Sequence, residues 1–307
     1  MKFLFYSDLH LCGIPPRHRV DDFPQALISK LAEVYALAES NGCEFVAFGG
    51  DFFNSQRIFN YDVIFDALNI VRASSLVTYA CIGEHDLYGH NPDTYQSSTL
   101  AFFVKLCPNM VIMTDPLDIG PAILYAKHEW ENVYDAMKVE VDPQRLNILI
   151  CHELITNERA MFDVIDTETL NPCPYDLVVS GDLHDGYQPH EVNGVWFCNP
   201  GSIARRAINE INRWPTVAII EIEKGNIPII DLVRLTSARP GSEVFGESIA
   251  EIARQPSDFD GDAFTEEMLE FEAESVDIHE LIQKVGAKKG IRKEVLEYLD
   301  TKRVQNL

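Results

Sequence analysis

The chain has 307 residues, 46% of them hydrophobic and 24% charged, which is enough for one large domain plus a smaller appendage and is the balance of a soluble globular protein. No apolar run approaches the ~20 residues of a membrane helix, and Met1–Tyr6 does not resemble a signal peptide, so a cytoplasmic location is expected. The formal net charge of −23 argues against a protein that grips nucleic acid with its own Lys and Arg.

Strands and helices alternate along the first half. Lys2–Ser7 reads as a β-branched and aromatic strand, and Phe23–Ala38 carries apolar residues at helical spacing. Then come a strand at Phe45–Phe48, a helix at Tyr61–Val71, a strand at Leu76–Cys81, a helix at Ser97–Leu106 and strands near Val111 and Ile123. Leu146–Cys151 and Leu177–Ser180 are short, nearly all-apolar strands. This order predicts stacked βαβ units of an α/β fold. After Asp185 the text changes to paired strands, Tyr187–Glu191 with Val195–Asn199 and Thr216–Glu223 with Ile227–Leu235, hairpins expected to extend or close a second sheet. Helices are expected near Thr265–Ala273, Val276–Val285 and Arg292–Leu299. From Gln255 to Gln283 there are ten Asp/Glu and no Lys or Arg, and seven Lys/Arg then follow between Lys284 and Arg303. Seven cysteines without Cys-x-x-Cys spacing are expected to be reduced thiols.

Five islands end these strands: Asp8-Leu9-His10, Gly50-Asp51, Gly83-Glu84-His85-Asp86, His152 and Gly181-Asp182-Leu183-His184. Ligands of open α/β sheets sit beyond the carboxyl ends of the strands, where all five fall. Asp and His side chains delivered there suit a pair of Mn, Fe or Zn ions acting on a phosphoester. Asp8 and His10, two apart, point to one side, and Asp51 after two glycines is placed to bridge two ions. A lone Asp after a strand is more often a cap or turn former, and the combination is what gives the pattern its weight.

In this order the islands resemble the calcineurin-type metallophosphoesterase superfamily, over roughly Met1 to Arg206. The chain is most similar to its SbcD-type DNA-repair nucleases, on Gly50-Asp51-Phe52-Phe53-Asn54-Ser55, on Asn199-Pro200-Gly201-Ser202 and on the helical tail. The resemblance implies an αββα sandwich of two mixed sheets flanked by helices, with the catalytic domain at 1–214, closing strands or a small capping region at 215–242, and an acidic linker and helical tail at 243–307. It implies one ion on Asp8, His10, Asp51 and His184, a second on Asp51, Glu84, His152 and Asp182, and hydrolysis by a metal-bound hydroxide. His85 would be the general acid and Asp86 a structural hydrogen-bond acceptor. Asn54 stands where some relatives keep a second active-site His.

Glu84 replaces the family's Asn and Asp182 its His. Two added carboxylates at the second site favour Mn, or Mg, over Zn. Arg205, Arg206 and Arg213 form the basic cluster near the site, expected to contact phosphate or to be solvated, and His18 lies with Arg17 and Arg19 in a loop that could touch substrate. His18, His90, His128, His190 and His279 are expected to be surface or ordinarily hydrogen-bonded residues. The implied partners are DNA and an SbcC-like coiled-coil ATPase gripped by the C-terminal helices, whose apolar residues, from Phe264 to Val285, exceed what a free tail needs. A homodimer through the Tyr61–Val71 helix is a further expectation. The leading expectation is a DNA exonuclease or endonuclease subunit. The alternatives are a small-molecule or cyclic-nucleotide phosphodiesterase and a non-enzymatic scaffold with a degenerate second site.

Overall fold

The computed structural model describes residues 1–157 and 163–246, all within a compact unit spanning Met1–Ile249. The helices expected beyond residue 250, and His279, lie outside the described residues.

Strand β1 (Lys2–Tyr6) is followed by α1 (Phe23–Ser40), β2 (Phe45–Phe48), α2 (Tyr61–Ala73), β3 (Thr78–Ala80), α3 (Thr99–Leu106) and β4 (Met110–Ile112). Each helix starts at a side-chain cap, Asp22, Asn60 or Ser98, which accepts a free N–H of the first turn. Two residues of β5 (Leu117–Asp118) lead into β6 (Ala122–Lys127), α4 (Val133–Ala136) and β7 (Leu146–Glu153). Then come β8 (Ile155–Thr156), β9 (Ile165–Asp166), β10 (Leu177–Asp182), β11 (Tyr187–Val192), β12 (Val195–Asn199), β13 (Thr216–Glu221), β14 (Ile229–Arg234) and α5 (Gly241–Val244). The short β5, β8 and β9 had no sequence signal, because two residues show no periodicity.

Two six-stranded mixed sheets result. One has the order β14-β13-β1-β2-β3-β4 and the other β11-β12-β10-β7-β6-β5. The β1 to β4 pairs are parallel, as are β6-β7, β7-β10 and β10-β12. The hairpin β11-β12 extends the second sheet, as expected, but β13-β14 joins the first, with β13 antiparallel to β1. Both faces of β13 explain the placement: Ala218 and Ile220 are buried between the sheets, while Val217 and Ile219 are buried under the helices. A strand apolar on both sides is stable only when covered on both sides.

Period-2 alternation assembles the layers. On β1, Leu4 and Tyr6 face a core shared with Leu27 and Leu31 of α1 and Ala67 and Val71 of α2, while Phe3 and Phe5 face the second sheet. On β7, Ile148 and Ile150 meet Phe3 and Phe5 between the sheets. Leu149 and Cys151 turn outward under Val133 and Tyr175. The fold is thus a sandwich of two sheets flanked by helices, with only short elements outside the second sheet among the described residues. Val244 and Phe245 are buried and Phe245 bridges to Arg19, so the packed unit reaches beyond residue 242, where the linker was expected to begin.

The carboxyl ends of both sheets meet at one edge. A Cβ on Gly181, in β10, would collide with Ser7 Oγ at the end of β1 and with the carbonyl of Gly49 after β2. Only glycine allows the two sheets to close there. Gly181→Ala should lower unfolding free energy by about 1–3 kcal/mol, the usual cost of overpacking a rigid core. Chemical denaturation of the pure protein measures this, and an unchanged midpoint would contradict it.

Candidate metal centre

Five side chains from four strand ends converge at that edge. Asp8 and His10 follow β1, Asp51 follows β2, His152 is near the end of β7 and His184 follows β10. Asp8, His10, Asp51 and His152 are each at most 1% exposed. Asp51 is central: its Oδ2 lies 3.7 Å from Nε2 of both His10 and His152. On one side, Asp8 Oδ1 is 3.9 Å from both His10 Nε2 and His184 Nε2, and those two nitrogens are 3.0 Å apart. On the other, His152 Nε2 is 3.9 Å from Asp182 Oδ1.

The donor set fits divalent cations. Asp8 Oδ1 and His152 Nε2 are fully buried and have no hydrogen-bond partner, a costly state for such groups unless something else satisfies them. His152 Nδ1 donates to the Gly49 carbonyl at 2.7 Å, which turns the Nε2 lone pair inward. His184 Nδ1 donates in the same way to Glu210 Oε1 at 3.3 Å. Three compact groups have donor atoms all within 4.8 Å of one another: Asp8 with His10 and His184, Asp8 with Asp51 and His152, and His10 with Asp51 and His85.

The backbone is bent to achieve this. Asp8, His10, Asp51 and Asp182 have φ of 55°, 45°, 60° and 74°, so among the described residues four of the six non-glycine positions in the left-handed region belong to the predicted ligand set. Asp86 holds one of these bends. Its buried carboxylate accepts the N–H groups of Asp51 (3.1 Å), Phe52 (3.4 Å), Phe53 (3.2 Å) and Gly83 (3.2 Å), the structural role expected from sequence. Gly50 at φ 95° completes the turn, where a Cβ would press on the His152 ring.

Charge and burial set the protonation preferences. Burial pushes the Asp182 carboxyl up to about 6, helped by Asp8 and Glu84 and opposed by His152. Burial would keep His152 neutral, but Asp51, Asp8 and Asp182 outweigh it and raise the imidazole to about 9. Burial and the Arg206 charge lower both His10 and His85.

Other predicted residues take distinct places. His85 donates from Nδ1 to the Asn54 main-chain carbonyl at 3.0 Å, so residue 54 supports it through its backbone. Its Nε2 faces inward, 3.9 Å from Asp51 Oδ2. Glu84 sits on the rim, with Oε1 3.5 Å from His85 Nε2, and its carboxylate groups with His90 and Glu129. Arg206 places Nη1 3.1 Å from His10 Nδ1 and 3.4 Å from His85 Nε2. Arg205, expected near phosphate, is instead 2% exposed and donates to the carbonyls of Arg213 and Arg239, because the chain turns it into the core. Arg19 is likewise buried, paired with Asp21 and stacked on Phe23, which removes it from the substrate loop. His128 is an ordinary core histidine, bonded to Ile82 N and Met113 O. Sequence reasoning missed Glu210. It orients His184, pairs with Arg213 and lies in a loop with no motif that would reveal it.

The sequence from residue 1 to 225 matches the family model described as calcineurin-like phosphoesterase superfamily domain. No curated protein matches the sequence. A dimetal phosphatase from Danio rerio is 12% identical and aligns over 76% of this chain and 95% of its own at a TM-score of 0.50. A protein of Thermus thermophilus is also 12% identical, over 76% and 98%, at 0.48. At 12% identity the Danio rerio protein shares the fold.

Divalent cations should stabilise the protein by mass action, by about 2.7 kcal/mol at a hundred times the dissociation constant, and chelator should reverse the effect. A thermal-unfolding titration with Mn checks this, and indifference to every divalent ion would contradict the fit. Glu210 gives an acid-sensitive contribution: burial raises its pKa, but the hydrogen bond from His184 and the Arg213 charge outweigh burial and hold it down to about 2. A depressed folded pKa stabilises above the unfolded value of 4.5 and is lost as pH falls toward 2. Glu210→Gln should therefore cost roughly 3 kcal/mol at pH 7, since each tenfold change in proton affinity is worth about 1.36 kcal/mol. Denaturant unfolding should show its difference from wild type shrinking as pH is lowered below about 4.5 toward 2.

Proposed function

The chain belongs to the calcineurin-like phosphoesterase superfamily, and on that premise we propose that it is a two-metal phosphodiesterase acting on DNA. The observation that carries the metal-dependent part is the pair of unpartnered buried donors, Asp8 Oδ1 and His152 Nε2, on either side of Asp51. One ion would be held by Asp8, His10, Asp51 and His184, and a second by Asp51, His152 and Asp182, with Glu84 completing the set from the rim. When bound, the ions would act as Lewis acids on the phosphoryl group and lower the pKa of the attacking water. The carboxylates of Asp182 and Glu84 support Mn, or Mg, as the native metal.

The protein's own groups supply orientation and proton transfer. Asp86 fixes the loop after β2, Asp51 Oδ1 accepts the His85 N–H, and the Asn54 carbonyl fixes the His85 ring so that Nε2 is the nitrogen left to face a bound phosphoester. His85 is 30% exposed at its side chain, open to a leaving group in a way that His10 and His152 are not. It serves as the general acid that protonates the leaving oxygen. The DNA reading draws on the SbcD-like motifs around Asn54 and Ser202, and the coiled-coil ATPase proposed as partner would supply basic surface that a chain of net charge −23 lacks. That same charge favours a second reading, a small-molecule or cyclic-nucleotide phosphodiesterase.

The test is hydrolysis of end-labelled double-stranded DNA and, in parallel, of a cyclic nucleotide, with Mn, Mg or chelator. Mn-dependent DNA cleavage is expected, and His85→Ala should reduce turnover by about 10²- to 10⁴-fold without changing metal content. Cyclic-nucleotide turnover without DNA cleavage would select the second reading. Folded, metal-loaded protein inactive on both, with the ATPase present in the DNA assay, would reject both phosphodiesterase readings.

A further inference from the structure

Cationic side chains cap every carbonyl from Ser202 to Arg205. Arg213 donates to Ser202 and Ala204, Lys30 Nζ to Ile203 at 2.5 Å, and Arg19 Nη1 to Arg205 at 2.8 Å. Lys30 is 2% exposed, so its amine reaches this carbonyl from within the core. On the amide side, Glu210 Oε2 accepts the N–H groups of Arg206 at 2.5 Å and Ala207 at 2.8 Å. The loop is also bound to the first ligand strand, since Ser202 Oγ donates to the Asp8 carbonyl at 2.9 Å and the Ala204 N–H reaches the same carbonyl at 3.3 Å. The backbone that carries Arg206 is therefore as fixed as the ligands themselves.

Among the described residues Arg206 pairs with no carboxylate, as is also true of the exposed Arg17, Arg57, Arg72 and Arg234 and of the buried Arg205; what sets it apart is that it is half-buried and faces the candidate metal centre. Its guanidinium lies against the rings of His10 and His85, with Nη1 3.1 Å from His10 Nδ1 and 3.4 Å from His85 Nε2. It also lines a cleft of about 600 Å³ that holds Asp182 and His184, with Ile14, Pro16 and Leu154 on its apolar wall. A permanent cation facing a centre built for two more cations is at a Coulombic disadvantage until an anion lies between them.

We propose that Arg206 is the substrate-binding residue of this centre, donating to the non-bridging oxygens of a phosphodiester seated in the cleft, and that the clamp of Arg213, Lys30 and Arg19 positions it. Guanidinium geometry matches a two-oxygen phosphate edge, and the anion removes the repulsion between the arginine and the metals. This rests on the two-cation phosphodiesterase reading. It has a consequence that a structural role would lack: Arg206 should oppose cation binding and favour anion binding.

The experiment is calorimetric titration of wild type, Arg206→Gln and Arg206→Lys, first with Mn and then, Mn-loaded, with a phosphorothioate-linked dithymidine. Arg206→Gln is expected to bind Mn several-fold more tightly and the dinucleotide about 10- to 100-fold more weakly, the range for a lost charge-assisted hydrogen bond. Arg206→Lys, which keeps the charge without the fork, is expected to leave Mn affinity near wild type and recover part of the dinucleotide affinity. Weakening of both ligands by Arg206→Gln, or unchanged dinucleotide binding, would overturn the assignment while leaving the phosphodiesterase reading intact. Wild-type protein that binds Mn but no dinucleotide would overturn both.

Discussion

The placement of Asp51 at the candidate metal centre depends on one buried carboxylate, that of Asp86. Asp86 gathers N–H groups from the loop after β2 and from Gly83 after β3, joining two neighbouring strand ends through a single side chain. Burial pushes its carboxyl up to about 6, and the donated N–H groups work in the other direction. What Asp86 contributes is the left-handed bend at Asp51, an unfavourable conformation for a non-glycine residue that persists only where neighbouring groups fix it. Asp51 in turn lies between His10 and His152 at equal distance. A weaker hold on that loop would blur the position on which both proposed ion sites rely.

The second support is the loop from Ser202 to Arg206, which ties the end of the β12 segment back to Asp8. It is built from full charges donating to backbone carbonyls, an arrangement that costs desolvation at every cation and repays it in rigidity. Lys30 shows the cost: burial, with Arg19 and Arg205 beside it, drives its amine well below the ordinary range. Glu210 links this loop to the candidate metal ligands by holding the Arg206 amide with one oxygen and the His184 ring with the other. The Arg206 backbone and the His184 ring thus share one anchor.

The acidity of the chain acquires a local meaning at this edge. Burial, helped by Asp8 and Glu84, raises the Asp182 carboxyl, while Asp51, Asp8 and Asp182 raise His152 against its burial, so negative charge is concentrated where the candidate ligands converge.

Much of this was legible in the sequence. Strand alternation and the Asp, His and Gly residues after each strand are short-range signals, and they located β1, β2, β7 and β10 and the five side chains that converge beyond them. Local patterning carries that information because a strand's faces and the turn that ends it are decided within a few residues. Only the tertiary structure decided that β13 and β14 complete the first sheet, that Arg205 turns inward while its neighbour Arg206 faces the centre, that Glu84 stands at the rim, and that Glu210 orients His184. Each of these depends on contacts between segments far apart in the chain or on which way a loop turns against the core, and neither is encoded in spacing along the sequence.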